Sequence, residues 1–471
     1  MPFGVRFERQ RACSRLARPR RNLRRTHQNG LPREVPSRGM FDGSPSRREF
    51  LKAAVAAGGA AALSACLDRA PDDPVPAGTD AFETLPSRQH AWNEFCRADD
   101  HGNVEMPRHQ VLLYLDLAGE GPPAEADREA VENAFRVLDR AYERSHEGVI
   151  WSVAYSPRYF DRFDDPLPAG VDLPEPRALS PFETPEFDRQ DALVHLASDR
   201  ADAVLEAEQA LRGEVDEANG VAVDADLSGV FSVDSRRTGF VGAGLPAEHQ
   251  SDLNGVPEGN PVPEESPLFM GFKAGFAKNQ ATEEYVTIDA GPFAGATTKH
   301  VANVRQRLSD WYDEEDRYHR VMKLFSPAHA EQDLVEGVGD NLGDDSGIDA
   351  MLDSLRDDAF EFGHVGHAQK AARANRDDEG NVKLLRRHFE SADDGVASLH
   401  FPSLQRGISE FEAVREAMNG TDLTDVPTVR QRVNNGILEY IFVKRRGNFL
   451  VPPREIRSLP TPTGEAPGLG D

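Results

Sequence analysis

Cysteine is nearly absent: the 471 residues hold three, Cys13, Cys66 and Cys96. Cys13 falls in an atypical N-terminal stretch and Cys66 in a processing signal. Cys96 is left alone, so the core has no internal disulfide and must hold by packing. Long apolar runs are missing as well. The most hydrophobic stretch, residues 53–65, is too short to cross a hydrocarbon layer of ~30 Å. Positive charge is in deficit, with 54 Lys and Arg against 80 Asp and Glu and a net charge of −26. Such a surface repels phosphate backbones, which argues against nucleic acid as a partner. There is no glycine-rich phosphate loop, no Gly-x-Ser-x-Gly elbow and no short-period repeat. Asp224-x-Asp226-x-Ser228-Gly229 opens like a calcium loop, but Ser235 stands where the bidentate carboxylate is needed, so it reads as a turn.

What is present begins with a targeting pattern. Ser46-Arg47-Arg48-Glu49-Phe50-Leu51-Lys52 precedes the short apolar run, and Leu63-Ser64-Ala65-Cys66 closes it. Twin arginines, a brief apolar middle and small residues before a cysteine read as a twin-arginine export signal ending in a lipobox, with the lipid on Cys66. The expected location is extracytoplasmic, anchored to the outer face of the cell membrane, with the lipid as the only membrane contact. Residues 1–39 differ from everything that follows, with eleven Arg, no Lys and two acids. They read as a mis-annotated extension, with Met40 as the true start. The remainder holds 43 basic and 78 acidic residues. That balance suits a halophilic protein, because the Debye length of ~3 Å at 1 M salt mutes self-repulsion.

Hydrophobic periodicity organises the rest. Val111, Leu113, Leu115 and Leu117 alternate along an expected strand over 109–117. Val131, Phe135, Leu138 and Tyr142 recur at helical spacing within 124–145. Strands are expected at 149–155, 192–197 and 230–241, and a helix at 201–211. The second half repeats this grammar, with extended segments at 285–289, 297–304 and 398–404, helices at 306–312 and 409–418, and an acidic loop of helical potential at 340–358. The fold class expected is α+β, with ferredoxin-like units. The boundaries read as 40–66 signal, 67–103 tether, 104–241 first half, 242–458 second half and 459–471 disordered tail.

Four segments of the second half, taken in order, resemble the dye-decolourising (Dyp-type) haem peroxidase family. Leu268-Phe269-Met270-Gly271-Phe272-Lys273-Ala274-Gly275 is similar to its Gly-x-x-Asp-Gly segment, and Gly363-His364-Val365-Gly366-His367-Ala368-Gln369-Lys370-Ala371 to the segment with its haem-ligating histidine. Leu384-Leu385-Arg386-Arg387, followed by Asp393-Asp394-Gly395, resembles its distal arginine segment. Ile437-Leu438-Glu439-Tyr440-Ile441, then Phe449-Leu450-Val451-Pro452-Pro453, resembles its C-terminal helix and strand.

The resemblance implies two ferredoxin-like halves of the dimeric α+β barrel type around haem b, with hydrogen peroxide and a small organic electron donor as partners. It sets no oligomeric state. His367 would ligate the iron, since it opens a His-x-x-basic-Ala pattern, and His364 is the alternative. Glu439 would hold the ligand's other ring nitrogen. Gly271 and Gly275 would shape the cofactor-binding loop. Arg386 would offset charge on bound peroxide, with Arg387 as fallback or as partner to a haem propionate. Ala274 occupies the place of the family's aspartate and cannot move a proton. Either Arg386 and water suffice, or another group substitutes, with His388 the candidate base against its reading as a surface histidine, or activity has decayed. A lipoprotein that keeps the fold and binds haem or another ligand without turnover is the alternative.

Overall fold

A computed structural model describes residues 73–465. The first half supplies β1 (His109–Leu117), α1 (Glu125–Ala141), β2 (Ile150–Tyr155), β3 (Ala192–Ser198), α2 (Ala201–Leu211) and β4 (Phe231–Phe240). The second supplies β5 (Thr297–Gln306), α3 (Arg317–Leu324), α4 (His367–Ala374), β6 (Phe389–Ser391), β7 (Ser398–Gln405), α5 (Ile408–Met418) and β8 (Ile441–Val451).

Alternation fixes the faces of β1. Val111, Leu113 and Leu115 enter one apolar cluster with Val131, Phe135 and Leu138 of α1 and Val204 of α2. Leu112 and Tyr114 point the other way and meet Phe389, Phe449 and Val451. Asp127 starts α1 by accepting the Ala124 N–H at 2.8 Å, as an acid in the first helical turn does.

The strands of the first half lie in the order β4-β1-β3-β2, all antiparallel. Those of the second lie β8-β5-β7-β6, again antiparallel. Both orders read fourth, first, third, second, the ferredoxin-like arrangement, so the α+β class is observed in both halves. The eight strands close into one ring. Each seam rests on a single residue pair, Glu390 with Phe240 and Leu450 with Tyr155. At the first seam a Cβ on Gly239 would stand 2.2 Å from Glu390 O, so only glycine permits the approach.

Beside the apolar cluster of Leu112 and Phe449 the ring interior holds a buried polar chain. Lys299 Nζ lies 3.2 Å from His195 Nδ1, and His195 Nε2 lies 2.8 Å from Gln110 Oε1. Burial, and then the charge of Arg387, pull the Lys299 pKa down to about 7. Among the described residues no carboxylate pairs with this lysine.

Several expectations change. Residues 73–103 are not a free tether. Trp92 is 2% exposed, its N–H donates to Glu283 Oε1 at 2.6 Å, and Gln89 Nε2 donates to Pro452 O at 2.8 Å. Residues 285–289 form no strand: a turn runs through Val286 and bends at Thr287, whose Oγ1 donates back to Glu283 O at 2.6 Å. Helix α1 ends at Ala141, where Tyr142 leaves helical geometry. Residues 437–440 are turn, and β8 follows directly. The expected tail starts as packed chain, because Leu459 is buried and its N–H donates to Tyr155 Oη at 2.9 Å. Arg457 ties this strap to α1 through Glu132 at 3.1 Å and Asp139 at 2.8 Å.

The signal residues, Cys66 and residues 466–471 lie outside the described region. Among the described residues no helix is long and apolar enough to cross a membrane, and no cluster of three or more His, Cys, Asp or Glu forms a metal centre.

Candidate functional site

The site gathers on the chain that leads into β6. Leu385 and Arg386 pair with Leu404 and Ser403 of β7, and Phe389 to Ser391 continue along the same strand. Side chains alternate along this run. Leu385 packs with Leu404, Phe389 enters the ring interior, and Arg387 turns to Glu283 at 2.6 Å and over the Trp92 ring at 5.0 Å. Arg386, His388 and Glu390 face the opposite side and line one cavity of about 190 Å³. Its other walls are mostly apolar, with Met270, Phe272, Phe325, Leu399 and Phe401 prominent, and His367 enters from α4. Lys273, Ala274, Gly275, Arg386 and His388 also line a neighbouring hollow of about 670 Å³.

His367 is the first residue of α4. Two fully buried side chains one turn on fix that helix. Lys370 Nζ donates to Met418 O and Asn435 O, both at 2.8 Å. Gln369 Nε2 donates to Met351 O at 2.6 Å and Asp358 Oδ2 at 2.7 Å. The basic residue of the His-x-x-basic-Ala pattern thus sets the helix against α5. Gly436 closes in behind the histidine, where a Cβ would come within 3.0 Å of His367 Cα. The His367 Nδ1 is buried with no hydrogen-bond partner. Burial, then the charges of Lys370 and Arg386, lower the ring's pKa to about 3, so the imidazole stays neutral.

The structure separates residues that the sequence grouped. Glu439 does not hold His367: its Oε1 accepts from Lys323 Nζ at 2.5 Å. Lys323 is almost fully buried and draws in Glu315 at 2.8 Å and the Tyr440 hydroxyl at 2.8 Å, because a buried ammonium needs anionic partners. His364 lies on that side, 5.7 Å from the His319 ring, and is not part of the cavity wall. Arg387 lines the larger hollow but is committed to Glu283.

Gly271 and Gly275 flank Ala274 with φ of +85° and +87°, left-handed values that favour glycine. Ala274 itself lines both cavities. Tyr312 Oη fastens this loop by donating to Phe269 O at 2.8 Å.

Arg386 is held by uncharged groups, donating to Gln280 Oε1 at 3.1 Å and Asn279 O at 3.2 Å. Among the described residues no carboxylate pairs with it, and burial lowers its pKa to about 10, so it stays cationic. His388 stacks on Phe401 with ring centroids 6.0 Å apart, and its Nδ1 has no partner. Burial and Arg386 hold its pKa down at about 3. Glu390 is wholly buried and escapes a reading by motif. The signal for it was the two-residue spacing from Arg386 through His388.

The cavity therefore offers an unpartnered imidazole, an unneutralised guanidinium and mostly apolar walls. That donor set would suit an apolar cofactor whose metal takes an imidazole and whose edge carries anionic groups.

Residues 107–453 match a family of unknown function, DUF7405, and the chain belongs to that family. No curated protein matches the sequence. Solved structures with a similar fold include the encapsulated DyP-type peroxidase from Mycobacterium smegmatis, at 16% identity and a TM-score of 0.48, covering 76% of this chain and 97% of that one. A dye-decolorizing peroxidase from Bacteroides thetaiotaomicron matches at 14% identity and 0.48, covering 79% and 100%. DyPB from Rhodococcus jostii matches at 14% and 0.48, covering 76% and 96%.

Proposed function

We propose that this chain is a haem-dependent peroxidase, exported by the twin-arginine route and held at the outer face of the membrane by a lipid on Cys66. One observation carries the reading. His367, with an unpartnered Nδ1, and Arg386, with no carboxylate partner, line the same apolar cavity. Bound haem b would supply the iron at which hydrogen peroxide is reduced and to which an organic donor gives electrons.

This chain's residues supply the surroundings. His367 would hold the iron, since burial keeps its imidazole neutral and its lone pair available. Met270, Phe272, Phe325, Leu399 and Phe401 exclude water and suit a porphyrin face. Arg386 offers a fixed cation to an oxygen carrying negative charge, in a setting where that charge is poorly screened. His388, with Nδ1 free, can accept a hydrogen bond there, while burial and the charge of Arg386 oppose its taking up a proton, so the expected role of base is not favoured.

Ala274 favours a second reading, in which the cavity binds haem or another ligand without turnover. Absorption spectroscopy of protein produced with haem tests the first step. A Soret band is expected, with His367→Ala abolishing it and His364→Ala keeping most of it. A parent without the band ends the haem reading. Oxidation of a donor by peroxide then separates enzyme from binder. Cys66→Ala should move the protein out of the membrane fraction, and unchanged fractionation would exclude the lipid anchor.

A further inference from the structure

The cavity contains a carboxyl group at a place no motif marks. Glu390 is 0% exposed, and its two oxygens have different fates. Oε1 accepts the Phe269 N–H at 2.8 Å and Gln306 Nε2 at 3.3 Å. Oε2 is buried without any partner, in the wall that also carries Arg386 and His388. Among the described residues Glu390 makes no ion pair. A carboxylate stripped of water and given no cation is costly, and the group lowers that cost by keeping its proton.

We infer that Glu390 is the hydrogen-bond donor of this cavity, presenting a carboxylic acid proton to an oxygen or diatomic ligand that Arg386 faces from the same wall. The inference rests on the haem reading above. It also accounts for Ala274. The carboxyl missing from the glycine-flanked loop is supplied from the strand beneath that loop, and Oε1 of the same residue pins the loop through the Phe269 N–H. Burial raises the Glu390 pKa to about 8, so the acid form dominates at neutral pH. The other ionisable groups of the wall are Lys273, His367, Arg376, Arg386 and His388. Tyr312, packed against the Phe269 loop, feels the Glu390 charge as well.

The test reads the donor directly and does not depend on turnover. Haem-loaded protein is reduced, carbon monoxide is added, and the infrared C–O stretch is followed on either side of pH 8. A proton aimed at the bound diatomic lowers the stretch, and its loss leaves a negative charge that raises it. The expected result is a step to higher wavenumber as pH rises through about 8 in the parent, and no step in Glu390→Gln, which keeps a donor at every pH. A parent without a step overturns the inference, whether or not the variant folds. A step that survives in Glu390→Gln overturns it too, since another group would then be titrating. Absence of a Soret band overturns both this inference and the haem reading, whereas a normal Soret band with no step overturns the Glu390 assignment alone.

Discussion

The two halves run their four strands in the same order but fill their crossovers differently. In the first half, residues 118–149 join β1 to β2 and contain little besides α1, which lies flat on the sheet in one apolar cluster. In the second, residues 307–388 join β5 to β6 and contain α3, α4 and several short helical turns. That longer crossover stands off the sheet and leaves the cavity beneath it. The sheet is thus a common frame. The closely packed half stabilises it, and the expanded half uses the same topology to hold polar groups away from water.

The comparison is broken most severely from the packed side. Phe135→Ala removes a fully buried ring from the first cluster and should cost about 3–5 kcal/mol in urea unfolding, with the site lost only because the frame is lost.

Lys370→Met acts on the expanded side. It leaves Met418 O and Asn435 O without their buried donor and should cost about 1–3 kcal/mol. Haem affinity should fall further than stability, because α4 carries His367. An equal fall in both would mean that the two halves respond alike.

His367→Ala should abolish haem retention while changing the stability of haem-free protein by under about 1 kcal/mol, a split that no core substitution in the first half should reproduce.

The haem-free protein should also show two opposing slopes of stability against pH. Glu390 titrates at about 8 when folded against a usual 4.5. The folded state therefore binds the extra proton between these values, and stability falls as pH rises through that window. Lys299 titrates at about 7 against 10.5. There the unfolded state holds the extra proton, so stability rises with pH between 7 and 10.5. Denaturation midpoints measured against pH should lose the first slope in Glu390→Gln and the second in Lys299→Met.

Sequence disclosed the frame better than the cavity. Strict alternation marks β1, and helical spacing marks α1, because each packs one face against a single neighbour. The run through β6 escaped because it is split into Leu385–Arg386 and Phe389–Ser391, each too short to show a period. Glu390 escaped with it. The expected pairing of Glu439 with a histidine gave way to Lys323, whose partner lies 116 positions away in the chain. The role of Trp92 was hidden in the same way, since the polar stretch around it gives no hint of Glu283 and Arg387, buried partners that lie far along the chain.

The strap that closes over α1 has a consequence best put in the language of polymers. Val75 packs into the cluster around α1, and Gly78 N–H donates to Arg140 O at 3.1 Å. At the other end Arg457 clasps Glu132 and Asp139 of the same helix, and Arg88 bridges Pro453 between them. Both ends of the described chain are therefore moored on the first half, and the whole second half is a loop with its base pinned. If it melts while the base holds, its ends cannot diffuse apart, so it gains less disorder than a free segment of equal length. The entropy withheld grows only with the logarithm of loop length. A large, hollow and glycine-punctuated lobe is in this way steadied at its base.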